Sequence, residues 1–181
     1  MNLLETKIFF TDGSCRKNPG PGGYGIVHLV TREEGTELVL SITNQTNEET
    51  TNNREEIKAI LNVFEIAAND PDNQYIIYSD SAYCVNMIND WIWNWAKNNW
   101  KNSKKVTVEN YDLVKQLYYY LNKDFFNCQV KKCSGHIGIV ENELADALAT
   151  YNLSKFKKII KDNGIIIKNE NLDNLEKLCY N

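Results

Sequence analysis

The sequence predicts an α/β domain: a five-stranded mixed sheet, three antiparallel strands followed by two parallel ones, flanked by helices. Three features predict this. Residues 6–43 hold three strand-like runs. From Asn52 the apolar spacing becomes helical. A short apolar run then returns at 74–79, and strand–helix–strand implies a right-handed parallel crossover onto the existing sheet.

Taken in order, residues 6–12 form the first strand, ending on Asp12. Asn18-Pro19-Gly20-Pro21-Gly22-Gly23 is so rich in Gly and Pro that regular structure is expected to stop there. Residues 23–31 and 37–43 are joined by Arg32-Glu33-Glu34-Gly35-Thr36, a polar link suited to an antiparallel hairpin. Ile57, Ile60, Leu61, Phe64 and Ala68 mark a helix, with Thr51 or Asn52 as cap and Glu55 and Glu56 in its first turn. Pro71 and Asp72 terminate it, and the apolar run at 74–79 reads as a buried strand ending on Asp80.

Residues 81–89 and 91–100 read as two short helices, followed by a Lys/Asn-rich loop. Leu113, Leu117, Tyr120 and Leu121 make 110–121 amphipathic, and 128–132 is a fifth strand. Ser134-Gly135-His136-Ile137-Gly138 is a Gly-flanked loop, and 141–153 a helix with acids at its start. One domain is expected over 1–153, with 154–181 an extension of unassigned role.

The 181 residues suffice for one domain with a real core, and 43% hydrophobic with 24% charged content is ordinary for a globular chain. Five scattered cysteines without a CxxC pair suggest neither disulfides nor zinc, and a reducing, cytoplasmic setting is expected. No signal peptide is expected, and no apolar run approaches the roughly 20 residues of a membrane span. A net charge of −4 weighs against nucleic-acid binding, but Lys97, Lys101, Lys104 and Lys105 form a local basic segment.

Four acids share a pattern. Asp12 and Asp80 each end a predicted strand, Glu56 opens the crossover helix, and Asp146 lies in the last long helix. If the first and fourth strands are neighbours, one sheet edge gathers Asp12, Asp80 and Glu56. Converging carboxylates repel unless something positive intervenes, and oxygen-only ligands select hard cations such as Mg²⁺. Two such ions roughly 4 Å apart would suit phosphodiester cleavage. Each acid alone reads as an ordinary turn, cap or surface residue. Their force is joint.

The surroundings of these acids resemble a known family. Thr11-Asp12-Gly13-Ser14, the Asn18–Gly25 block, Thr51-Asn52-Asn53-Arg54-x-Glu56, Ser79-Asp80-Ser81-x-Tyr83, Gly135-His136-x-Gly138 and Glu141-Asn142-Glu143-x-x-Asp146 look like type 1 ribonuclease H, in the family's order. Trp91-Ile92-x-Asn94-Trp95 and Trp100-Lys101 resemble its basic handle.

The resemblance implies a ribonuclease H-like fold and endonucleolytic hydrolysis of the RNA strand of RNA–DNA hybrids, leaving 5′-phosphate and 3′-hydroxyl ends. It makes Asp12, Glu56, Asp80 and Asp146 the ligands of two Mg²⁺ ions, with Mn²⁺ able to substitute, and gives His136 a part in proton handling. Cys15, Asn18, Asn52 and Asn53 would face the RNA. Thr51 and Asn110 would hold a DNA phosphate, and Tyr83 and Trp91 would line the DNA channel. The expected partner is the hybrid, bound by a monomer, with no membrane partner.

Three departures from the family pattern predict weak, salt-sensitive binding: Glu49 in place of a pocket Arg, a handle interrupted by Ala96, Asn98 and Asn99, and Ala82 at a polar contact position. The alternatives are a weak or inactive hybrid-binding domain on the same fold and a detached reverse-transcriptase-type ribonuclease H.

Overall fold

The computed structural model describes residues 5–124, 126–134 and 138–168. Strands β1 (Thr6–Cys15), β2 (Gly20–Arg32) and β3 (Gly35–Thr50) form an antiparallel meander, as the sequence predicts. Helix α1 (Asn52–Ala68) carries the chain across to β4 (Gln74–Ser79), which lies parallel to β1. Helices α2 (Ala82–Asn86), α3 (Ile92–Lys97) and α4 (Tyr111–Leu121) precede β5 (Cys128–Lys132), parallel to β4. Helices α5 (Val140–Ala149) and α6 (Leu153–Asp162) follow. The five strands lie in the order β3-β2-β1-β4-β5.

Alternation along the strands sends successive side chains to opposite faces of the sheet. Ile26 joins Phe9, Ile57, Phe64, Ile77 and Leu117 in one core, and its neighbour Val27 joins Leu38, Leu144, Leu148 and Phe156 in another. Helices α1 and α5 therefore sandwich the sheet.

Three expectations need correction. The Gly/Pro segment does not stop the sheet at Asp12, because β1 continues as Gly13↔Tyr24, Ser14↔Gly23 and Cys15↔Gly22 pairs with β2. Glycines need not break a ladder where neighbouring backbone lies too close for side chains. The helices expected at 81–89 and 91–100 form one continuous rod, because α2 and α3 are joined by a π-helical turn at Met87–Trp91. That wider turn keeps Met87, Ile88 and Ile92 all buried. The helix expected at 141–153 ends at Ala149, where Asn152 donates its amide to Ala147 and Tyr151 takes a left-handed φ of 53°. Asn152 then caps α6, its side chain accepting from the Lys155 amide at 3.0 Å.

Helix α6 packs on α5 through Phe156, Ile159 and Ile160, and Ile165 is buried in the same core. Ile166 then bridges in parallel to the outer edge of β3, exchanging hydrogen bonds with Thr36 and Leu38 at 2.8 and 2.9 Å. This covers a stretch of edge strand that would otherwise offer unpaired amides. The weak helical pattern that the sequence carries at Leu172, Leu175 and Leu178 lies outside the described residues.

Candidate active site

Parallel pairing of β1 with β4 ends at Thr11↔Ser79, so the next residue of each strand is an acid released from that ladder. Asp12 stays fixed from its other side, registered against Gly25 of β2. Asp80 sits just past β4, where its carbonyl accepts a hydrogen bond from the Lys132 ammonium. The predicted adjacency of these two strand tips is thus realised, although Asp12 lies inside its strand and not at its end.

Glu56 reaches the same edge from α1. Thr51 caps that helix, its hydroxyl accepting from the Arg54 amide at 3.2 Å. The first turn of α1 lies directly on β1, because a Cβ on Gly13 would stand 2.2 Å from the Glu56 nitrogen. Only glycine permits that approach. The Ser79 hydroxyl lies 3.4 Å from a Glu56 carboxylate oxygen and donates to it.

Together, Asp12, Glu56 and Asp80 place one carboxylate oxygen each within 4.8 Å of one another. Asp12 and Glu56 are only 8% and 7% exposed. Burial, then repulsion from Asp80 and Asp146, pushes the Asp12 carboxyl up from 3.8 to about 7. Burial, then the charges of Asp12 and Asp80, likewise raises Glu56 well above its ordinary value. A buried, mutually repelling set of oxygen donors suits a hard divalent cation. The site fits the metal its chemistry implies.

Asp146 stands next to this trio on α5. That helix approaches the sheet at Gly25, where a Cβ would meet the Ala145 carbonyl at 2.2 Å. The Asp146 carboxylate is close enough to raise Asp12 but lies outside the tight group of three. It is engaged instead by Lys155 of α6 at 2.5 Å. His136 lies outside the described residues.

The residues expected to meet substrate form two sets of contacts that meet at the start of α1. Cys15 ends β1, and its thiol donates to the Lys17 carbonyl at 2.7 Å, bracing the following turn. In that turn Asn18 accepts from the Asn52 amide at 3.2 Å, which ties the turn to the start of α1, where Asn53 follows. In the second set, Arg54 donates to Asn110 at 3.3 Å and grips Asp112 through two bonds of 2.9 and 2.7 Å. Asn110 also hydrogen-bonds Tyr83, whose ring meets Trp91 edge-on at 5.8 Å. Thr51, Arg54, Asn110, Tyr83 and Trp91 therefore form one connected wall.

Three residues without an assigned role in the sequence take part here. Arg54 belongs to the Thr51–Glu56 block and could have been suspected as the pocket's cation. Ser79 adjoins Asp80, and in-register pairing with Thr11 turns it toward α1. No local signal points to Lys155, since only the packing of α6 on α5 carries it to Asp146.

A family model described as RNase H matches residues 5–154. The chain is 41% identical over 147 residues to the ribonuclease H of Caldicellulosiruptor saccharolyticus, covering 81% of this chain and 94% of that protein. The fold is similar to that of LC9-RNase H1, a type 1 RNase H with the type 2 active-site motif, with a TM-score of 0.67 and 24% identity over 81% of this chain and 71% of that one. It is equally similar to a foamy viral protease-reverse transcriptase solved with an RNA/DNA hybrid, with a TM-score of 0.67 and 23% identity over 83% of this chain and 20% of the viral one. The site's acids sit within the matched span on the matching fold, and the chain belongs to the ribonuclease H family.

Proposed function

We propose that this chain hydrolyses the RNA strand of RNA–DNA hybrids, with Asp12, Glu56, Asp80 and Asp146 holding two Mg²⁺ ions. The observation that carries this reading is the convergence of Asp12, Glu56 and Asp80 within 4.8 Å, two of them buried, from β1, α1 and the turn after β4. So many acids facing one another are costly without a cation, and the rigid elements beneath them hold the cost in place. Bound metal supplies a water more acidic than bulk and neutralises charge on the departing 3′ oxygen.

The chain's own residues orient the reaction. A water oxygen bonds to the scissile phosphorus, the bond from phosphorus to the ribose 3′ oxygen breaks, and the products are a 5′-phosphate and a 3′-hydroxyl. Asn18, Asn52, Asn53 and the backbone at Cys15 face the RNA's shallow minor groove, where 2′-hydroxyls distinguish RNA from DNA. Glu56, beside this surface, accepts from the 2′-hydroxyl next to the cut. Thr51, Arg54 and Asn110 take a phosphate of the DNA strand, with Tyr83 and Trp91 against its sugars. His136 handles the proton of the leaving group.

The test is a labelled RNA–DNA hybrid beside single-stranded RNA and duplex RNA, each with Mg²⁺ or EDTA. Cleavage of the RNA in the hybrid alone, dependent on metal, is expected. A protein that binds the hybrid but leaves it intact with both Mg²⁺ and Mn²⁺ would overturn the reading in favour of a non-catalytic binder.

A further inference from the structure

Among the described residues, Asp146 is the one acid of the four whose carboxylate has an ion-pair partner. That partner, Lys155, lies on α6 and directly follows the segment matched by the family model, residues 5–154. The ion pair is not what docks α6. Phe156, Ile159 and Ile160 are buried against α5, and Asn152 caps the helix through the Lys155 backbone amide rather than its side chain. The ammonium therefore answers to the carboxylate beside it. Both side chains are 40% exposed, so the pair is accessible and can exchange.

We propose that Lys155 is a built-in, displaceable counter-ion for Asp146. In the metal-free enzyme it neutralises the carboxylate. It competes with the divalent cation for that oxygen, and thereby sets how much metal the enzyme needs. The inference rests on the metal-binding role proposed for the four acids. A lysine held by a half-exposed pair is a weak competitor, since such pairs contribute little and are screened by salt. That suits a device that tunes metal affinity without blocking it. A cation entering beside Asp146 releases the Lys155 ammonium toward solvent, free to meet a substrate phosphate.

Calorimetric titration with Mg²⁺ alone and Mn²⁺ alone tests this on the full chain, comparing wild type with Lys155→Met, Lys155→Gln and Lys155→Arg at fixed ionic strength. Both neutral variants should bind metal roughly two- to fivefold more tightly, the range expected for loss of an exposed ion-pair competitor. Lys155→Arg should bind as wild type, and the difference should shrink at high salt. Circular dichroism melting identifies any variant that fails to fold, and two neutral replacements guard against that. Neutral variants that bind metal no more tightly than wild type overturn the inference. If wild type also cuts the hybrid with Mg²⁺, the proposed function stands while Lys155 loses its role. If wild type neither binds metal nor cuts, both readings fall together.

Discussion

Gly13 and Glu56 lie so close that a Cβ on the glycine would sit 2.2 Å from the glutamate's backbone nitrogen. This contact sets the height of α1 above the sheet and so delivers the Glu56 carboxylate to Asp12. Gly13→Ala must push the first turn of α1 outward. Overpacking of this kind costs about 1–3 kcal/mol. Urea unfolding should show that loss, and metal-dependent cleavage should fall even under conditions where the variant remains folded. A variant with wild-type stability and cleavage would show that the contact is not tight in solution.

Asp80→Asn separates chemistry from stability. Asp80 contributes to raising both Asp12 and Glu56 by like-charge repulsion. Its neutral analogue should unfold at a higher temperature than wild type in EDTA. Cleavage of hybrid should drop by more than the roughly 10–100-fold typical of groups that merely support metal ligands. Wild-type turnover by Asp80→Asn would remove Asp80 from the metal site.

The raised carboxyls also predict an unusual pH profile. Without metal, Asp12 in the folded chain keeps its proton up to about pH 7, against an ordinary value of 3.8. Between those values the folded state binds more protons than the unfolded state, so stability falls as pH rises through this window. Glu56 acts in the same direction. The loss from Asp12 should be of the order of a few kcal/mol. Urea unfolding in EDTA from pH 4 to 8 measures it. Saturating Mg²⁺ should flatten or reverse the slope, because metal binding favours the ionised carboxylates. A slope unaffected by Mg²⁺ would separate these acids from the metal.

Glu49 is exposed near the end of β3, just ahead of the Thr51 cap. Glu49→Arg replaces a repulsion with an attraction at the proposed DNA phosphate pocket. KM for the hybrid should fall with kcat nearly constant, and the slope of log K against log salt should steepen by roughly 0.7–0.9. Equal salt slopes for the two proteins would move that pocket elsewhere.

Phe156 is 1% exposed between α6 and α5. Truncating it to alanine should cost about 3–5 kcal/mol of stability. Since α5 also carries Asp146, the loss should be accompanied by weaker metal binding. Thermal melting and metal titration would show this together. An unaltered melting temperature would mean that α6 does not stay docked in solution.

Much of the fold was legible in the sequence because two local periods carry it. Residues such as Ile57, Ile60 and Phe64 at helical spacing, and the short apolar run of β4, marked the crossover correctly. Strand ends were less legible. The glycines at 20–25 look like a break, yet they are the residues that let β1, β2 and α5 lie against one another. Gly25, opposite Asp12, has α5 backbone where a side chain would be. A local reading cannot separate a glycine that breaks a strand from one that makes room for a neighbour.

The sequence by itself determined which acids this protein carries, their placement on strands and helices, and their resemblance to one family. The reason is that motif spacing and periodicity are properties of short stretches of chain. Only the tertiary structure decided how those acids divide. Burial and sheet register draw Asp12, Glu56 and Asp80 into one tight group, while Asp146 remains at its edge in the grip of Lys155. That pairing depends on α6 folding back over α5, a contact set by long-range apolar packing that no local pattern around either residue encodes.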